Sequence, residues 1–388
     1  MNATPQGEHG AAAIDLEGVS KTYSDGSVAV GELNLSFAAG ELSVLVGPSG
    51  CGKTTTMKMI NRIIEPSTGR ILLGGEDVTS VDPQLLRRRI GYVIQNVGLF
   101  PHQTIRTNVG TVPRLLGWEK KRVAERVEEL MQTVGLTPST FGDRYPHQLS
   151  GGQRQRAGVA RALAADPEVL LMDEPFSAVD PVVRERLQSE FLRLQAEVRK
   201  TIVFVTHDIE EAVRLGDRIA IMSEGGKVEQ YDTPANLLGK PANDFVAGFV
   251  GSDRGLKRLA VTPIGPDDLD HPPVVHVDDA LSDVRLALQR EGARWAVVLD
   301  HEENLHGWIS REAATGEGDV ASRGHRMEAW VPADASLKSA FATMLQMDAG
   351  WVAVLDGSRF LGVLTPESLH AALRRSVDGT EPEIAGAV

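Results

Sequence analysis

The sequence predicts an α/β protein built on a mostly parallel sheet and followed by a smaller α+β module. Between residues 13 and 240, short apolar runs at 42–46, 169–172, 202–205 and 219–222 alternate with longer helical segments, as in a parallel sheet flanked by helices. Beyond residue 270, a pattern of helix, strand, turn and strand occurs twice with a period of about 55 residues. Because a solenoid usually needs more repeats than this, we expect a paired, pseudo-symmetric module.

These patterns divide the chain into successive segments. We expect a disordered N-terminus at 1–12 and the α/β domain at 13–240. A closing helix and a linker follow at 241–270, where Gly, Pro and charged residues interrupt the periodicity. The paired module occupies 271–376, with repeats at about 271–315 and 326–376. The last segment, 377–388, is an acidic tail.

Composition excludes several classes of function. The formal net charge of −13 argues against binding of nucleic acid, which requires a basic surface. Cys51 is the only cysteine, so an internal disulfide and a multi-cysteine metal site are both excluded. The chain has no apolar stretch of the roughly 18–20 residues that a membrane helix needs, and its start lacks the features of a signal peptide. We therefore expect a cytosolic protein that reaches a membrane only through a partner.

The segment SVLVGPSGCGKTTTMKMI has the strand–loop–helix context of a P-loop. Glycines let backbone N–H groups surround phosphates, and the following helix adds a favourable dipole. In the P-loop mechanism Lys53 contacts the β- and γ-phosphates of ATP, and Thr54 ligates Mg²⁺. Cys51 is expected to be a small loop filler, the alternative being a modifiable thiolate. The candidate nucleotide-binding residues are Gly47, Pro48, Ser49, Gly50, Cys51, Gly52, Lys53, Thr54 and Thr55.

A second candidate lies at the end of the apolar run VLLMDEP. Asp173 is suited to hold the Mg²⁺ ion, and Glu174 is suited to polarise the attacking water as general base. Alone, two acids at the end of a strand are weakly informative. Their combination with the motif LSGGQRQR at 149–156 makes them a candidate catalytic pair.

The motif LSGGQRQR at 149–156 resembles the signature of ABC ATPases, a family of P-loop proteins. A helix start expected at Gln153, in a helix running to Ala165, would present free N–H groups to a phosphate. The resemblance implies an ABC-type fold, in which the parallel core carries an antiparallel β subdomain and a helical subdomain. It also implies a head-to-tail dimer with a second copy of the chain, in which these residues contact ATP bound to the other copy: Ser150, Gly151, Gly152 and Gln153.

The same resemblance implies roles for further residues. Gln95 in GYVIQN lies on the Mg²⁺ and water side of the site, and His207 in VFVTHD contacts the γ-phosphate. Asp180, in the segment 177–180, belongs to the loop that contacts the other protomer. Tyr23 is placed where an aromatic ring stacks on adenine. For Gln95 and Tyr23 the alternatives are an ordinary polar strand end and an exposed loop tyrosine.

The stretch IGYVIQNVGLFPHQTIRTNVGTVPRLLGW resembles the helical subdomain of ATPases that serve osmoprotectant importers, the glycine betaine, carnitine, choline and proline class. The resemblance covers nearly the whole chain. It implies partners that this sequence does not encode, namely integral membrane permease subunits and an extracytoplasmic substrate-binding protein. The expected location is the cytoplasmic face of the inner membrane.

The C-terminal pair resembles a tandem CBS module, which in this importer class responds to ionic strength or to a cyclic dinucleotide. The candidate ligand of the pair is an adenine or cyclic dinucleotide, yet the acid expected in the nucleotide-binding version of the module is replaced by Ala313 in one repeat and Ser368 in the other. Without a carboxylate to accept from ribose hydroxyls, mononucleotide binding is disfavoured. Trp295 and Trp351 occupy matching places and are expected to pack between strand and helix.

One alternative remains open at this point, and a second is disfavoured. An ATPase subunit of another solute importer class would keep the same catalytic residues, and the paired module would then be purely structural. ABC ATPases that act on DNA or ribosomes carry long coiled coils or two cassettes in one chain, whereas one compact cassette is present here.

Overall fold

The computed structural model describes residues 10–94, 98–177 and 179–375. The described residues form two compact units. The first unit extends to Leu237 and includes Pro241–Gly251, and the second contains Leu238–Lys240 and the chain from Ser252 onward. The acidic tail at 377–388 and most of the expected N-terminal segment lie outside the described residues, although Ala12 is buried in the core of the first unit.

The first unit contains the strands of the predicted α/β domain, including all four apolar runs singled out above. The run at 42–46 is β3, and the others lie in β7, β8 and β9. The strands are β1 (Ile14–Thr22), β2 (Val28–Phe37), β3 (Leu42–Val46), β4 (Thr68–Leu73), β5 (Glu76–Asp77), β6 (Ile90–Val93), β7 (Val169–Asp173), β8 (Thr201–Thr206), β9 (Arg218–Ser223) and β10 (Lys227–Asp232).

Two sheets organise this unit. Six strands are hydrogen-bonded in the order β10-β9-β3-β8-β7-β6, and all neighbours except the antiparallel pair β10-β9 are parallel. A second, antiparallel sheet has the order β2-β1-β4-β5. Every residue of β3 and of β8 is buried, as expected for parallel strands covered on both faces. This architecture confirms the predicted ABC-type P-loop fold.

Helices pack around these sheets, and their bounds follow from capping and apolar periodicity. α5 buries Val123, Val127, Leu130 and Met131, which lie on one helical stripe. The helices of this part of the chain are α1 (Lys53–Ile60), α2 (Pro83–Arg89), α3 (Ile105–Val109), α4 (Thr111–Leu115), α5 (Lys120–Thr133), α6 (Pro138–Phe141), α7 (Gly151–Leu163), α8 (Pro181–Val198), α9 (Ile209–Leu215), α10 (Pro234–Gly239) and α11 (Asp244–Val250).

The bounds of α7 correct the predicted helix from Gln153 to Ala165. The helix begins two residues earlier because Ser150 is its N-cap: the Ser150 hydroxyl accepts from the Gln153 N–H at 3.3 Å, and the Gln153 side chain accepts from the Ser150 N–H at 2.9 Å. It ends at Leu163, and Asp166 then adopts a positive φ of 54° that terminates the helical path.

The second unit contains two related halves, each with a helix followed by a hairpin. In the first half the parallel pair β11–β12 is extended by β13 and β14, and in the second half β15 pairs in parallel with β16, which pairs with β17. The elements are α12 (Arg254–Val261), β11 (Val274–His276), α13 (Leu281–Arg290), β12 (Trp295–Leu299), β13 (Leu305–Ser310), β14 (His325–Arg326), β15 (Trp330–Pro332), α14 (Leu337–Gln346), β16 (Val352–Asp356), β17 (Arg359–Leu364) and α15 (Pro366–Arg375).

Trp295 and Trp351 differ from their predicted environment. Their rings stack on each other across the two halves, with centroids 4.3 Å apart and planes within 6°. Both are half-buried and pack against strand residues Val297, Leu299 and Val363. The matched positions of the repeat therefore contact each other, because pseudo-symmetry brings equivalent sites together.

One glycine is required by a close approach within the antiparallel sheet. Gly69 in β4 has φ +82°, and a Cβ at this position would collide with the Gly18 carbonyl group of β1. Gly75 has nearly the same φ, +84°, but nothing lies near its hypothetical Cβ. An alanine at Gly75 would therefore introduce backbone strain alone, whereas an alanine at Gly69 would introduce backbone strain and a steric collision.

We predict that Gly75→Ala lowers the melting temperature by about 2–4 °C, because left-handed backbone disfavours an L side chain by roughly 1–2 kcal/mol. Gly69→Ala carries the same strain plus a backbone collision, so its decrease should be at least about twice as large. Circular dichroism melting curves of both variants measure this. Equal decreases for the two variants would show that β1 and β4 separate without loss of stability.

Candidate functional site

The candidate site lies where three neighbouring parallel strands end. In the register of β3 with β8, Val46 is opposite Thr206, and in that of β7 with β8, Asp173 is opposite Val205. The residues that follow these strand ends are Gly47, Glu174 and His207. The sheet thus brings together three motifs that lie up to 160 residues apart in the chain, at the edge where doubly wound sheets bind ligands.

The loop between β3 and α1 depends on glycines for close packing. A Cβ on Gly47 would collide with the Met222 carbonyl oxygen at the end of β9. Gly52 has φ +104°, and its Cβ would lie 2.7 Å from the Ala29 carbonyl oxygen of β2. The loop is therefore held between the two sheets of the unit, and its backbone conformation is accessible only to glycine at these positions.

Lys53 is the first residue of α1 and directs its ammonium group into this loop. The side chain is buried, and Nζ donates to the Gly47 carbonyl at 2.7 Å and to the Pro48 carbonyl at 2.9 Å. Cys51, at 1% exposure, places its sulfur 3.5 Å from the same ammonium group. A positive charge is thus fixed inside a glycine-rich loop at a helix start, the arrangement that binds phosphate groups.

Thr54 and Asp173 form a pair of oxygen ligands beside the loop. The Thr54 hydroxyl donates to Asp173 Oδ1 at 3.0 Å. Burial raises the pKa of Asp173, and the charge of Glu174 raises it further, while the Thr54 hydrogen bond opposes both. A hydroxyl and a carboxylate that is costly to ionise fit a divalent cation, which would restore the favourable charge balance. These are the residues that would hold Mg²⁺.

Glu174 adopts an unusual backbone conformation. Its φ is +45°, in the left-handed region, while its N–H still donates to the Val205 carbonyl of β8 at 3.0 Å. The chain therefore turns sharply directly after β7. This turn places Glu174 Oε1 3.2 Å from His207 Nδ1, so the candidate base and the candidate γ-phosphate contact are hydrogen-bonded to each other.

Tyr92 is a neighbour of the site that sequence reasoning missed. It lies in β6, next to β7, and burial together with the charge of Asp173 raises the pKa of Tyr92 to about 12. The phenol is thus a neutral group in the low-polarity environment that also acts on Asp173. In the sequence, the feature that could have indicated Tyr92 as a neighbour of the site was its position in the strand segment GYV.

Among the signature residues, Ser150 and Gly151 are exposed at the start of α7. Gly152 is buried against α8, where its Cβ would lie 3.2 Å from Leu187. The Ser150 hydroxyl caps the helix by accepting from the Gln153 N–H. The other first-turn N–H groups of α7 have no acceptor within the helix, as at any helix start. Such a helix start can bind an anion supplied from outside the chain.

The remaining candidates occupy different positions. Gln95 lies outside the described residues. Tyr23 is 41% exposed, with Lys21 Nζ 5.5 Å from its ring centroid. Asp180 is exposed just before α8, and its carbonyl accepts from the Arg184 N–H at 2.8 Å.

In the second unit, the structure supplies an acid that the repeat pattern did not reveal. The Thr365 hydroxyl donates to Asp270 Oδ2 at 2.9 Å and also contacts the Ser368 hydroxyl at 3.2 Å. Asp270 is held there by paired backbone hydrogen bonds with Val363. A carboxylate therefore stands beside Thr365, although it comes from 95 residues earlier in the chain.

We predict that Asp173→Asn raises the melting temperature of the nucleotide-free protein at pH 7 by a few degrees. Asn can still accept from Thr54, and it removes a carboxylate whose ionised form is disfavoured by burial and by Glu174. The pKa of Asp173 is raised in the folded state, so the wild type gains stability as the pH falls and Asp173 is protonated. The difference in melting temperature between Asp173→Asn and the wild type should therefore become smaller in acid. Asp217→Asn is the control.

Asp217 is an exposed carboxylate in the same unit, and it accepts from the Leu42 N–H at 2.8 Å. Its replacement removes a charge-assisted hydrogen bond without relieving the repulsion described for Asp173, so the melting temperature should not rise. A lower melting temperature for Asp173→Asn than for the wild type at pH 7 would contradict the electrostatic account.

Comparison with known proteins agrees with this geometry. The profile of the ABC transporter family matches residues 30–177. Among solved structures, cbiO1 from Clostridium perfringens, part of the ABC transporter complex cbiONQ, is 28% identical, with a TM-score of 0.55 over 59% of this chain and 91% of that chain. A dimeric ATP-binding cassette bound to ADP and Pi is 32% identical, with a TM-score of 0.51 over 57% of this chain and 98% of that one.

Relatives cover almost the entire chain. The osmoprotectant import ATP-binding protein OsmV of Salmonella typhimurium is 46% identical over 88% of this chain and 91% of its own length. The choline transport ATP-binding protein OpuBA of Bacillus subtilis is 42% identical over 96% of this chain and 99% of its own. The carnitine transport ATP-binding protein OpuCA of Listeria monocytogenes is 43% identical over 95% and 94%. The chain therefore belongs to the ABC transporter family as an ATP-binding, ATP-hydrolysing subunit, in the group that these import ATP-binding proteins form.

Proposed function

We propose that this chain hydrolyses ATP in a head-to-tail dimer and thereby energises import of a compatible solute of the quaternary-amine class through membrane permease subunits. The observation that carries the catalytic part is the convergence of Lys53, Thr54, Asp173, Glu174 and His207 at the ends of β3, β7 and β8. The transport part rests on the similarity to import ATP-binding proteins along nearly the whole length.

Each residue of this group has a chemical task that follows from its position. Lys53 and the N–H groups of the loop hold the β- and γ-phosphates, and Thr54 and Asp173 hold Mg²⁺. A cation held by Thr54 and Asp173 would supply positive charge that offsets the negative charge developing on the phosphates. Glu174 orients and deprotonates the attacking water, while His207 holds Glu174 in place and contacts the γ-phosphate. Gln95 is assigned to the Mg²⁺ and water side, and Tyr23 to adenine.

The signature residues require a second copy of the chain. The start of α7 carries Ser150 and Gly151 on its exposed end, where an anion from another molecule can approach. In the dimer we propose, this end contacts the γ-phosphate held by the P-loop of the partner, and Asp180 faces the partner as well. A dimeric cassette among the structural neighbours supports this arrangement.

The relatives that align with the second unit indicate the solute class. The osmoprotectant, choline and carnitine relatives align over 88–96% of this chain. A spermidine/putrescine import ATP-binding protein of Chromobacterium violaceum aligns over only 62%, and a sulfate/thiosulfate relative of Thermosynechococcus vestitus over 61%. A glycine betaine uptake ATP-binding protein of Escherichia coli also aligns over only 65% of this chain, so the second unit supports the osmoprotectant class without being common to all of its members.

Partners complete the transporter. No helix in the described part of the chain is sufficiently long and apolar to cross a bilayer. We propose that integral membrane permease subunits recruit the chain to the cytoplasmic face of the membrane, and that an extracytoplasmic substrate-binding protein delivers the solute to them. The chain itself contacts neither the solute nor nucleic acid in this arrangement.

We propose that the second unit is a tandem CBS module that regulates transport by ionic strength or by a cyclic dinucleotide. Its two half-sites are chemically different: Ala313 leaves one without an acid, whereas Asp270 accompanies Thr365 in the other. The alternative is a structural module without a ligand, which the stacked pair Trp295 and Trp351 would also stabilise.

We predict that Glu174→Gln binds ATP with unchanged affinity but lowers kcat by about 10²- to 10⁴-fold, because general-base catalysis contributes a factor of this size. Phosphate release and binding of a fluorescent ATP analogue measure the two quantities. Glu210→Gln, which neutralises an exposed glutamate of α9, is the matched control and should keep the wild-type rate. Hydrolysis at the wild-type rate by Glu174→Gln would exclude it as the base.

We predict that proteoliposomes containing the chain and its permease subunits take up a quaternary amine in an ATP-dependent manner, and that the rate rises with internal ionic strength. Exposed charge pairs weaken as salt screens them, so a regulatory contact made of such pairs responds in this direction. Uptake of radiolabelled betaine, choline and carnitine across a series of internal salt concentrations measures this. An uptake rate that changes neither with internal salt concentration nor with any nucleotide tested would contradict the regulatory role.

A further inference from the structure

Two helices connect the segment that faces the partner with the strand end that carries His207. α8 begins directly after Asp180, and α9 begins directly after Asp208, the residue next to His207. Side chains of α8 contact α9 at three successive levels. The contact pairs are Arg184 with Asp208, Gln188 with Glu211, and Ser189 with Arg214.

The first level joins the two functional segments directly. Arg184 Nη2 donates to the Val179 carbonyl at 3.1 Å, and its Nη1 lies 3.8 Å from Asp208 Oδ2. The Arg184 N–H also donates to the Asp180 carbonyl. One side chain thus contacts the backbone on the partner-facing side and the carboxylate beside His207. Its guanidinium group is rigid and planar, so the distance between the two segments is constrained.

Asp208 in turn determines where His207 lies. Its Oδ1 accepts from the Glu210 N–H at 2.8 Å as the N-cap of α9, and its N–H donates to the Thr206 hydroxyl at 3.0 Å. His207 lies between Thr206 and Asp208, so the hydrogen bond between these two residues constrains its backbone. Movement of the Asp208 carboxylate therefore displaces the imidazole relative to Glu174.

The second level is buried, which makes the connection stiff. Gln188 is 4% exposed and Glu211 is 7% exposed, and Gln188 Nε2 donates to Glu211 Oε1 at 3.0 Å. Burial raises the pKa of Glu211, against hydrogen bonds from Thr206 and Gln188. A buried polar pair of this kind has one satisfied arrangement, so α8 and α9 move together.

We propose that Arg184 is a positioning residue that transmits the placement of the Val179–Asp180 segment to His207 through Asp208. The inference rests on the proposed function, in which that segment faces the partner, and it adds a route by which the partner controls hydrolysis within each copy. A partner that holds the Val179–Asp180 segment therefore also holds His207 in the position from which it contacts Glu174, so the rate of hydrolysis depends on dimer closure. The second level, Gln188 with Glu211, keeps this linkage rigid.

The test compares kcat and nucleotide affinity in four variants. Arg184→Gln removes the charge that pairs with Asp208, and Asp208→Asn keeps the N-cap while removing the same pair. Each should lower kcat by about tenfold or more, since small misplacements of catalytic groups have effects of this order, with the Kd for ATP within about twofold of wild type. The double variant should be no slower than the slower single variant, because both changes remove one linkage. Arg184→Lys, which keeps the charge, should recover part of the rate.

Arg214→Gln is the matched control, because it removes an arginine from the same helix pair at the level farthest from His207. Its kcat should equal that of the wild type. The proposal is overturned if Arg184→Gln and Arg214→Gln have the same kcat, or if the losses of Arg184→Gln and Asp208→Asn multiply in the double variant. If a low melting temperature shows that Arg184→Gln folds poorly, the kcat values of Asp208→Asn and Arg184→Lys test the proposal instead.

The outcome is distinguishable from failure of the proposed function. A wild-type chain without ATP hydrolysis, or an active Glu174→Gln variant, contradicts the catalytic assignment itself. A wild-type chain that hydrolyses ATP, an inactive Glu174→Gln variant and fully active Arg184 and Asp208 variants contradict only the linkage.

Discussion

The hydrogen-bond register of three parallel strands determines the whole site. β3, β8 and β7 are adjacent, so Val46, Thr206 and Asp173 end at one edge of the sheet. A register shift of one residue would reverse the faces of every side chain in a strand whose residues are all buried. The phosphate loop, the two acids and the histidine are thus aligned by main-chain hydrogen bonds and by apolar packing of the strands that precede them.

Given this alignment, the site contains groups that are unfavourable in isolation. Glu174 has a left-handed backbone conformation, and Asp173 is a half-buried carboxylate beside another acid. Lys53 is buried, and its ammonium group donates to two loop carbonyls and lies near the Cys51 sulfur. Such features are typical of sites whose favourable partners are the substrate and its cation, and the rigid sheet supplies the stability that they cost.

Most of the fold and many site residues could be predicted because they depend on local patterns. The apolar runs are strands, and the P-loop, the acids after β7 and the signature are recognisable from a few consecutive residues. Other features depend on contacts between distant parts of the chain. The approach of Asp270 to Thr365, the stacking of Trp295 on Trp351 and the pairing of Arg184 with Asp208 require the tertiary structure. The start of α7 lay within reach, since Ser150 and Gln153 form a capping-box pattern.

The central claim is that each catalytic site combines the P-loop of one copy with the signature of another. Equimolar mixing of Lys53→Ala chains with Ser150→Glu chains, followed by measurement of ATP hydrolysis, tests this directly. Each variant alone should be inactive. In the equimolar mixture half of all dimers are heterodimers, and each heterodimer contains one intact site out of two, so the mixture should recover about a quarter of the wild-type rate. A mixture no faster than the mean of the two separate variants would contradict the shared site.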